Sequence, residues 1–262
     1  MLEVKNLTKI YDDGTVALRD VSFELADGEF LIVIGLSGSG KSTLLRCINR
    51  LIEPTEGQIV WDGVDITTAE PAELREIRRR IGMIFQHFNL VRRSTVLINV
   101  LSGRLGYVNP WSSLLHRFPK KDREMAMAAL ERVGIADQAY KRADELSGGQ
   151  QQRVGIARAL MQQPRMILAD EPVASLDPVL AHSILEYLEL LNREEEIAIL
   201  CSLHYLDLVQ RYATRVIGLR DGRIVYRGSR EEIRAMTDRE FKEIYGEEAV
   251  RVGVGLREGG GE

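Results

Sequence analysis

The chain has 262 residues, 45% of them hydrophobic and 28% charged, which fits one large globular domain, or a domain with a subdomain, and excludes a disordered or fibrous chain. Its net charge of −4 supplies no global basic field, so nucleic acid is not an expected partner. The start, MLEVKNLTKIY, lacks the regions of a signal peptide, and no apolar run approaches the roughly 18 to 20 residues that span a bilayer, so the chain is expected not to cross a membrane itself.

Two β-rich runs, LEVKNLTKIY and VALRDVSFEL, open the chain, and ADGE supplies a turn before the apolar run Phe30 to Ile34, which reads as a buried parallel strand. That strand ends in GLSGSGKST. Helical spacing follows in TLLRCINRLI, and EPTEG breaks it before a hairpin around QIVWDGVDI. PAELREIRRR predicts a short charged helix whose Arg75, Arg78, Arg79 and Arg80 read as a solvated face. After the β-like IGMIFQ the texture changes. Helical patterns dominate from Asn89 to about Met161, interrupted in NVLSGRLGYVNPWSSLLHRFPK, which predicts a helical subdomain over about 89–161. RMILADEP is a second buried strand, PVLAHSILEYLELLNREE an amphipathic helix, IAILCS a third strand and RVIGLRDGRIVYRG a strand with a hairpin. Cys47 and Cys201 lie inside apolar segments, which points to core packing rather than a disulfide or zinc site.

The alternation predicts an α/β fold: a P-loop NTPase core with a mostly parallel sheet, an N-terminal antiparallel β subdomain and the inserted helical subdomain. A helical tail over about 230–262 frays into a glycine-rich end, and no internal repeat is visible.

GLSGSGKST matches every fixed position of the phosphate-binding loop, and it follows a predicted strand and opens a predicted helix. Gly35, Gly38 and Gly40 let the backbone N–H groups of the loop, with Ser37, Ser39 and Thr43, face the phosphates of ATP. Lys41 adds a formal charge, and Ser42 offers an oxygen to Mg²⁺. The strand MILADE ends in two carboxylates at the edge where α/β folds bind ligands. Asp170 suits Mg²⁺ and Glu171 suits the base that activates water. ELSGGQQQRVGIARAL contains a second glycine-rich helix start, in which Ser147 caps the helix and Gly148 and Gly149 leave room for an anion. The fragment alone fits an ordinary helix start equally well.

The order phosphate loop, glutamine, LSGGQ (Leu146 to Gln150), ILADE, SLD, histidine resembles the ATP-binding subunits of ABC transporters over nearly the whole chain. The resemblance implies a head-to-tail dimer sandwiching two ATP molecules, each between one copy's phosphate loop and the other copy's Ser147, Gly148, Gly149 and Gln150. It implies that Tyr11 stacks on adenine, that Gln86 reaches Mg²⁺ and links the site to the membrane subunit, that Asp177 communicates across the dimer, and that His204 touches the γ-phosphate and joins Glu171 and Lys41 in catalysis. Leu203 and EPVASLD depart from the commoner pattern without removing a catalytic group, and Ile98 replaces a usual glutamate near the coupling surface.

NVLSGRLGY followed by WSSLLHRFP, with EPVASLDP and CSLH, resembles the ATPases of phosphonate importers. Such importers imply a separate membrane permease, an extracytoplasmic solute-binding protein acting indirectly, and a peripheral position on the cytoplasmic face of the membrane. Two other readings keep the ATPase: a transporter of another solute, such as a polar amino acid or an exported substrate, and a soluble ABC protein acting on nucleic acid or ribosomes. The second usually brings paired cassettes or long coiled coils, absent here. A small-molecule kinase leaves LSGGQ and His204 without a task.

Overall fold

In the computed structural model, which describes residues 1–109, 117–174 and 176–246, the strands fall into two sheets. β1 (Leu2–Ile10) pairs antiparallel with β2 (Val16–Leu25) and, on its other side, with the later strand β4 (Glu56–Trp61), which ends the sheet in a hairpin with β5 (Val64–Asp65). The second sheet runs β10-β9-β3-β8-β7-β6. Its strands are β3 (Phe30–Ile34), β6 (Ile81–Ile84), β7 (Met166–Ala169), β8 (Ala198–Ser202), β9 (Arg215–Arg220) and β10 (Arg223–Ser229). All neighbours in it are parallel except β9 and β10, which a tight turn joins.

Strand periodicity divides the core in two. On β3, Phe30, Ile32 and Ile34 face one cluster, and Leu31 and Val33 face the other. On β7 and β8 the same phase sends Ile167, Ala169, Ile199 and Cys201 to the first cluster and Met166, Leu168, Ala198 and Leu200 to the second. Helix α1 (Lys41–Ile48) shares the second cluster through Leu44, Leu45, Cys47 and Ile48, together with Leu18, Val21 and Phe23 of β2, so it lies in the layer between the two sheets. Both cysteines are buried and free, and burial pushes the Cys47 thiol up to about 12, which leaves it a packing residue.

Helix α2 (Pro71–Arg79) corrects the reading of its arginines as a solvated face. Arg78 donates from Nε to the Asn49 carbonyl at 3.0 Å and from Nη2 to that of Arg50, covering the C-terminal carbonyls of α1. Arg79 turns toward Tyr107. Arg75 and Arg80 remain exposed.

Between β6 and β7 the described residues form no strand but the helices α3 (Val96–Leu101), α4 (Lys120–Arg132) and α5 (Gly148–Leu160), with short 3-10 turns and one isolated antiparallel bridge between Thr95 and Arg142. Their apolar faces join the first core cluster. GRLGY, Gly103 to Tyr107, acts as a clasp here. The Tyr107 hydroxyl lies 3.1 Å from the Arg79 carbonyl and 2.9 Å from that of Gln162, and the Arg104 guanidinium stacks 3.8 Å above its ring. Arg104 also pairs at 3.3 Å with the buried Asp122 of α4. Pro110 to His116, within the remainder of that inserted segment, lie outside the described residues.

Helix α6 (Pro178–Glu195) crosses from β7 to β8, and α7 (Leu206–Tyr212), α8 (Arg230–Arg234) and α9 (Asp238–Tyr245) complete the chain as described, with residues 247–262 of the expected tail outside it. No described helix is long and apolar enough to cross a membrane.

Gly103 brings the turn after α3 against the end of α5 so closely that an added Cβ would stand 2.2 Å from the Arg158 carbonyl oxygen and 2.8 Å from the Met161 Cβ. Because the first obstacle is helix backbone, Gly103→Ala is expected to cost about 1–3 kcal/mol of stability. Chemical denaturation reads this as an earlier midpoint; an unchanged midpoint contradicts the close approach.

Candidate functional site

Strand β3 delivers the phosphate loop to the C-terminal edge of the parallel sheet. Gly35 and Gly40 sit at φ 148° and 106°, and a Cβ on them would collide with the backbone oxygens of Leu219 and Ala17, at 2.2 and 2.4 Å. Gly38, at φ 80°, has open space where its Cβ would stand. The loop is braced from behind by the Asp221-Gly222 turn between β9 and β10, where the Gly222 N–H donates to the Ser39 carbonyl at 3.1 Å. Ala17, Ser37, Gly38, Gly40, Lys41, Ser42, Thr43, Gln86 and Glu171 line a cavity of about 210 Å³.

Lys41 is buried across the loop, its Nζ donating to the carbonyls of Gly35 and Leu36 at 3.0 and 2.9 Å and standing 3.6 Å from Glu171 Oε1. Burial lowers its pKa, and the Glu171 carboxylate opposes that shift. Asp170, fully buried, accepts at Oδ1 from the hydroxyls of Ser42 at 2.7 Å and Ser202 at 3.3 Å, and its Oδ2 faces Arg46 Nη2 at 3.4 Å. Glu171 stands in the left-handed region at φ 46°, its N–H held by Ser202 Oγ at 2.9 Å and its carboxylate against His204 Nε2. The His204 hydrogen bond lowers the Glu171 pKa against the opposing effect of burial, with the charges of His204 and Lys41 adding to it. The carboxylate is therefore ionised near neutral pH, as a general base must be.

The site thus gathers Lys41, Ser42, Asp170, Glu171 and His204 with Gln86 at the cavity wall. Tyr11 joins it through its hydroxyl, 3.2 Å from Thr43 Oγ1, with Lys9 Nζ 5.3 Å from the centre of its ring. Ser147, Gly148, Gly149 and Gln150 are absent from that cavity's lining. They form a separate helix start, a capping box in which Ser147 Oγ accepts from the Gln150 N–H at 3.3 Å and Gln150 Oε1 accepts from the Ser147 N–H at 3.0 Å. A Cβ on Gly149 would stand 2.7 Å from Leu180 Cδ1, so this glycine also lets α5 meet the start of α6. Asp177 caps α6, accepting at 3.0 Å from the N–H groups of Val179 and Leu180, ahead of Pro178 in the first turn.

Three contributors escape a reading of the sequence. Ser202 and Arg46 hold Asp170 from elements whose phase and register a sequence does not reveal. Arg158 of α5 is the third: it donates to the carbonyls of Asn89 and Phe88 at 2.6 and 2.8 Å, tying the loop after Gln86 to the helix that starts at LSGGQ. Desolvation lowers its pKa. Its only signal is a lone arginine in the otherwise apolar run IARAL.

The family model described as ABC transporter matches residues 18–174. A protein named phosphonates import ATP-binding protein PhnC 3, from Halalkalibacterium halodurans, is 50% identical over 246 residues, covering 94% of each chain. The phosphonates import ATP-binding proteins PhnC of Shouchella clausii and Staphylococcus aureus are each 54% identical over 94% of this chain and cover 91% and 94% of their own. Among solved structures, the ADP conformation of the ABC transporter cassette MJ1267 superposes with a TM-score of 0.81 at 33% identity, over 93% of this chain and 97% of its own. The dimeric cassette MJ0796 bound to ADP and Pi gives 0.77 at 35% identity, over 87% and 98%. A phosphate loop facing paired strand-end acids, an LSGGQ helix start held apart from them, and relatives alike along almost their whole length place this chain in the ABC transporter family.

Proposed function

We propose that the chain is the ATP-hydrolysing subunit of an ABC importer that powers uptake of phosphonates through a separate membrane permease. The observation that carries the ATPase reading is the Glu171 carboxylate held between Lys41 and His204 at the wall of the phosphate-loop cavity. The substrate rests on the names of relatives 50% to 54% identical over 94% of the chain.

In this reading Lys41 leaves the Gly35 and Leu36 carbonyls for phosphate, and the N–H groups from Gly35 through Thr43 cradle the same anion. The donor set fits Mg²⁺. Ser42 Oγ and the Gln86 amide at the cavity wall, with the Asp170 carboxylate buried behind Ser42 at 2.7 Å, are hard oxygen ligands too few to cage the ion without substrate phosphates, which is how Mg²⁺ is ordinarily bound. Mg²⁺, when bound, neutralises charge on the β- and γ-phosphate oxygens. Glu171 takes a proton from the attacking water, and His204 orients that carboxylate and meets the γ-phosphate. Tyr11 faces the adenine.

The helical segment over about 89–161 carries Ser147, Gly148, Gly149 and Gln150 on a helix start away from the chain's own phosphate loop. Each such start therefore serves the nucleotide of a second copy in a head-to-tail dimer, with Asp177 at the junction. The dimeric MJ0796 cassette bound to ADP and Pi supports this arrangement. The dimer acts from the cytoplasmic face of the membrane, moves the permease through the surface around Gln86, and meets the extracytoplasmic solute-binding protein only indirectly. Closure by ATP and release on hydrolysis shift the balance between two dimer states.

Two outcomes follow. Co-purified with its membrane partners and binding protein, the chain hydrolyses ATP faster when phosphonates are added, and not with phosphate or amino acids; stimulation by amino acids alone removes the substrate while keeping the mechanism. In the nucleotide-free chain, the Glu171 carboxyl titrates below the ordinary value of 4.5, and His204→Ala raises that pKa. A lowered folded pKa means the contact contributes stability above about pH 4.5, which is lost as pH falls through the lowered value. Carbon-13 NMR of labelled glutamate measures both, and titration at or above the ordinary value in the unsubstituted chain contradicts the pairing.

A further inference from the structure

Ser202 closes β8 as the second residue of CSLH, where the sequence assigns it no task. Its neighbours explain why a hydroxyl stands there. β7 and β8 are parallel, with Ala169 opposite Cys201, so the next pair along the two strands is Asp170 and Ser202. Both share the phase of Leu168 and Leu200, whose side chains enter the core layer that holds α1. The strand-end carboxylate and the strand-end hydroxyl thus face the helix that carries Lys41, Ser42 and Arg46.

The Ser202 hydroxyl is used twice. It donates to Asp170 Oδ1 at 3.3 Å and accepts from the Glu171 backbone N–H at 2.9 Å, and the residue is fully buried. These two bonds do different things. The first gives Asp170 a second hydroxyl on the oxygen that also takes Ser42, so the carboxylate keeps a fixed partner when Ser42 turns to another ligand. The second holds the peptide of a residue at φ 46°, a backbone conformation uncommon for a non-glycine residue, and so aims the Glu171 side chain at His204 and Lys41.

We infer that Ser202 is a positioning residue for both acids, orienting the Asp170 carboxylate through its proton and the Glu171 backbone through its lone pair. This role rests on the ATPase reading above. An apolar side chain here leaves a buried N–H without a partner and a buried carboxylate with one hydrogen bond fewer.

The test compares Ser202→Ala, Ser202→Thr and Ser202→Val in the full chain. Thr and Val have nearly the same volume, so any effect of crowding is common to both and the hydroxyl alone separates them. In the nucleotide-free chain, amide hydrogen exchange at Glu171 stays slow in the unsubstituted protein and in Ser202→Thr, and quickens about tenfold or more in Ser202→Ala and Ser202→Val, as expected for loss of the bond that shields the amide. The Mg²⁺ concentration giving half-maximal ATP hydrolysis rises about tenfold in the Ala and Val variants, in line with loss of a hydrogen bond to a charged group, while binding of ATP without Mg²⁺ is unchanged. Glu171 protection that survives in Ser202→Ala, or Val behaving as Thr does, overturns the inference. Should the two larger side chains prevent folding, Ser202→Ala against the unsubstituted chain decides it. An unsubstituted chain that hydrolyses no Mg-ATP removes the ATPase reading instead, and amide exchange still judges Ser202 by itself.

Discussion

The bond between Ser42 and Asp170 joins two parts of the chain 128 residues apart, and the geometry of the site depends on it. Asp170 is fully buried, and a buried carboxylate is costly unless charge and hydrogen bonds answer it. The answer comes from three directions: the Ser42 hydroxyl at the first turn of α1, Arg46 one turn further along, and Ser202 at the end of β8. Together they fix the strand carrying the acids against the helix that starts at the phosphate loop. Glu171, next in sequence, is then aimed at Lys41 and His204 because the backbone around it is already held.

The two glycine-rich helix starts differ physically although they look alike in sequence. In the phosphate loop, Gly35 and Gly40 are required by positive φ and by backbone oxygens that exclude a Cβ, and Gly38 faces open space. At LSGGQ, Gly149 leaves room for the tip of the Leu180 side chain, and Ser147 and Gln150 satisfy one another in a capping box. The first loop has a buried cation, a cavity and two acids around it. The second has only a helix N-terminus, worth about 0.3–1 kcal/mol toward an anion, so it gains a purpose when a nucleotide held elsewhere is brought to it. Arg158 binds this helix to the loop after Gln86, which ties the cavity wall to the helix start that the proposed dimer presents to a second copy.

Much of this was legible in the sequence. The five-residue run of β3, the phosphate loop after it and the acids after β7 are local patterns, and local patterns survive translation into structure. Side chains that act across elements were not. Ser202 reads as the last residue of an apolar strand, and only the parallel register with β7 sets it beside Asp170. Arg78 and Arg79 read as a solvated face because helical spacing gives no hint that the carbonyls at the end of α1 and the ring of Tyr107 lie within reach. GRLGY was legible as a family texture but not as a clasp, since its partners Arg79, Asp122 and Gln162 are far from it in sequence. Asp177 shows how one residue hides two tasks: as a helix cap it is fully accounted for, and its proposed place at the dimer junction adds to that.

In the proposed dimer one chain's phosphate loop and another chain's LSGGQ helix hold a nucleotide together. The direct measurement mixes two variants, Lys41→Ala and Ser147→Arg, each disabled in one half of the site, and counts the nucleotides retained by dimers formed with Mg-ATP. A mixed head-to-tail pair rebuilds one intact site from the unaltered phosphate loop of one chain and the unaltered helix start of the other, so the mixture retains one tightly held nucleotide per dimer while neither variant alone retains any. A mixture that retains no more nucleotide than its separate components contradicts the shared site.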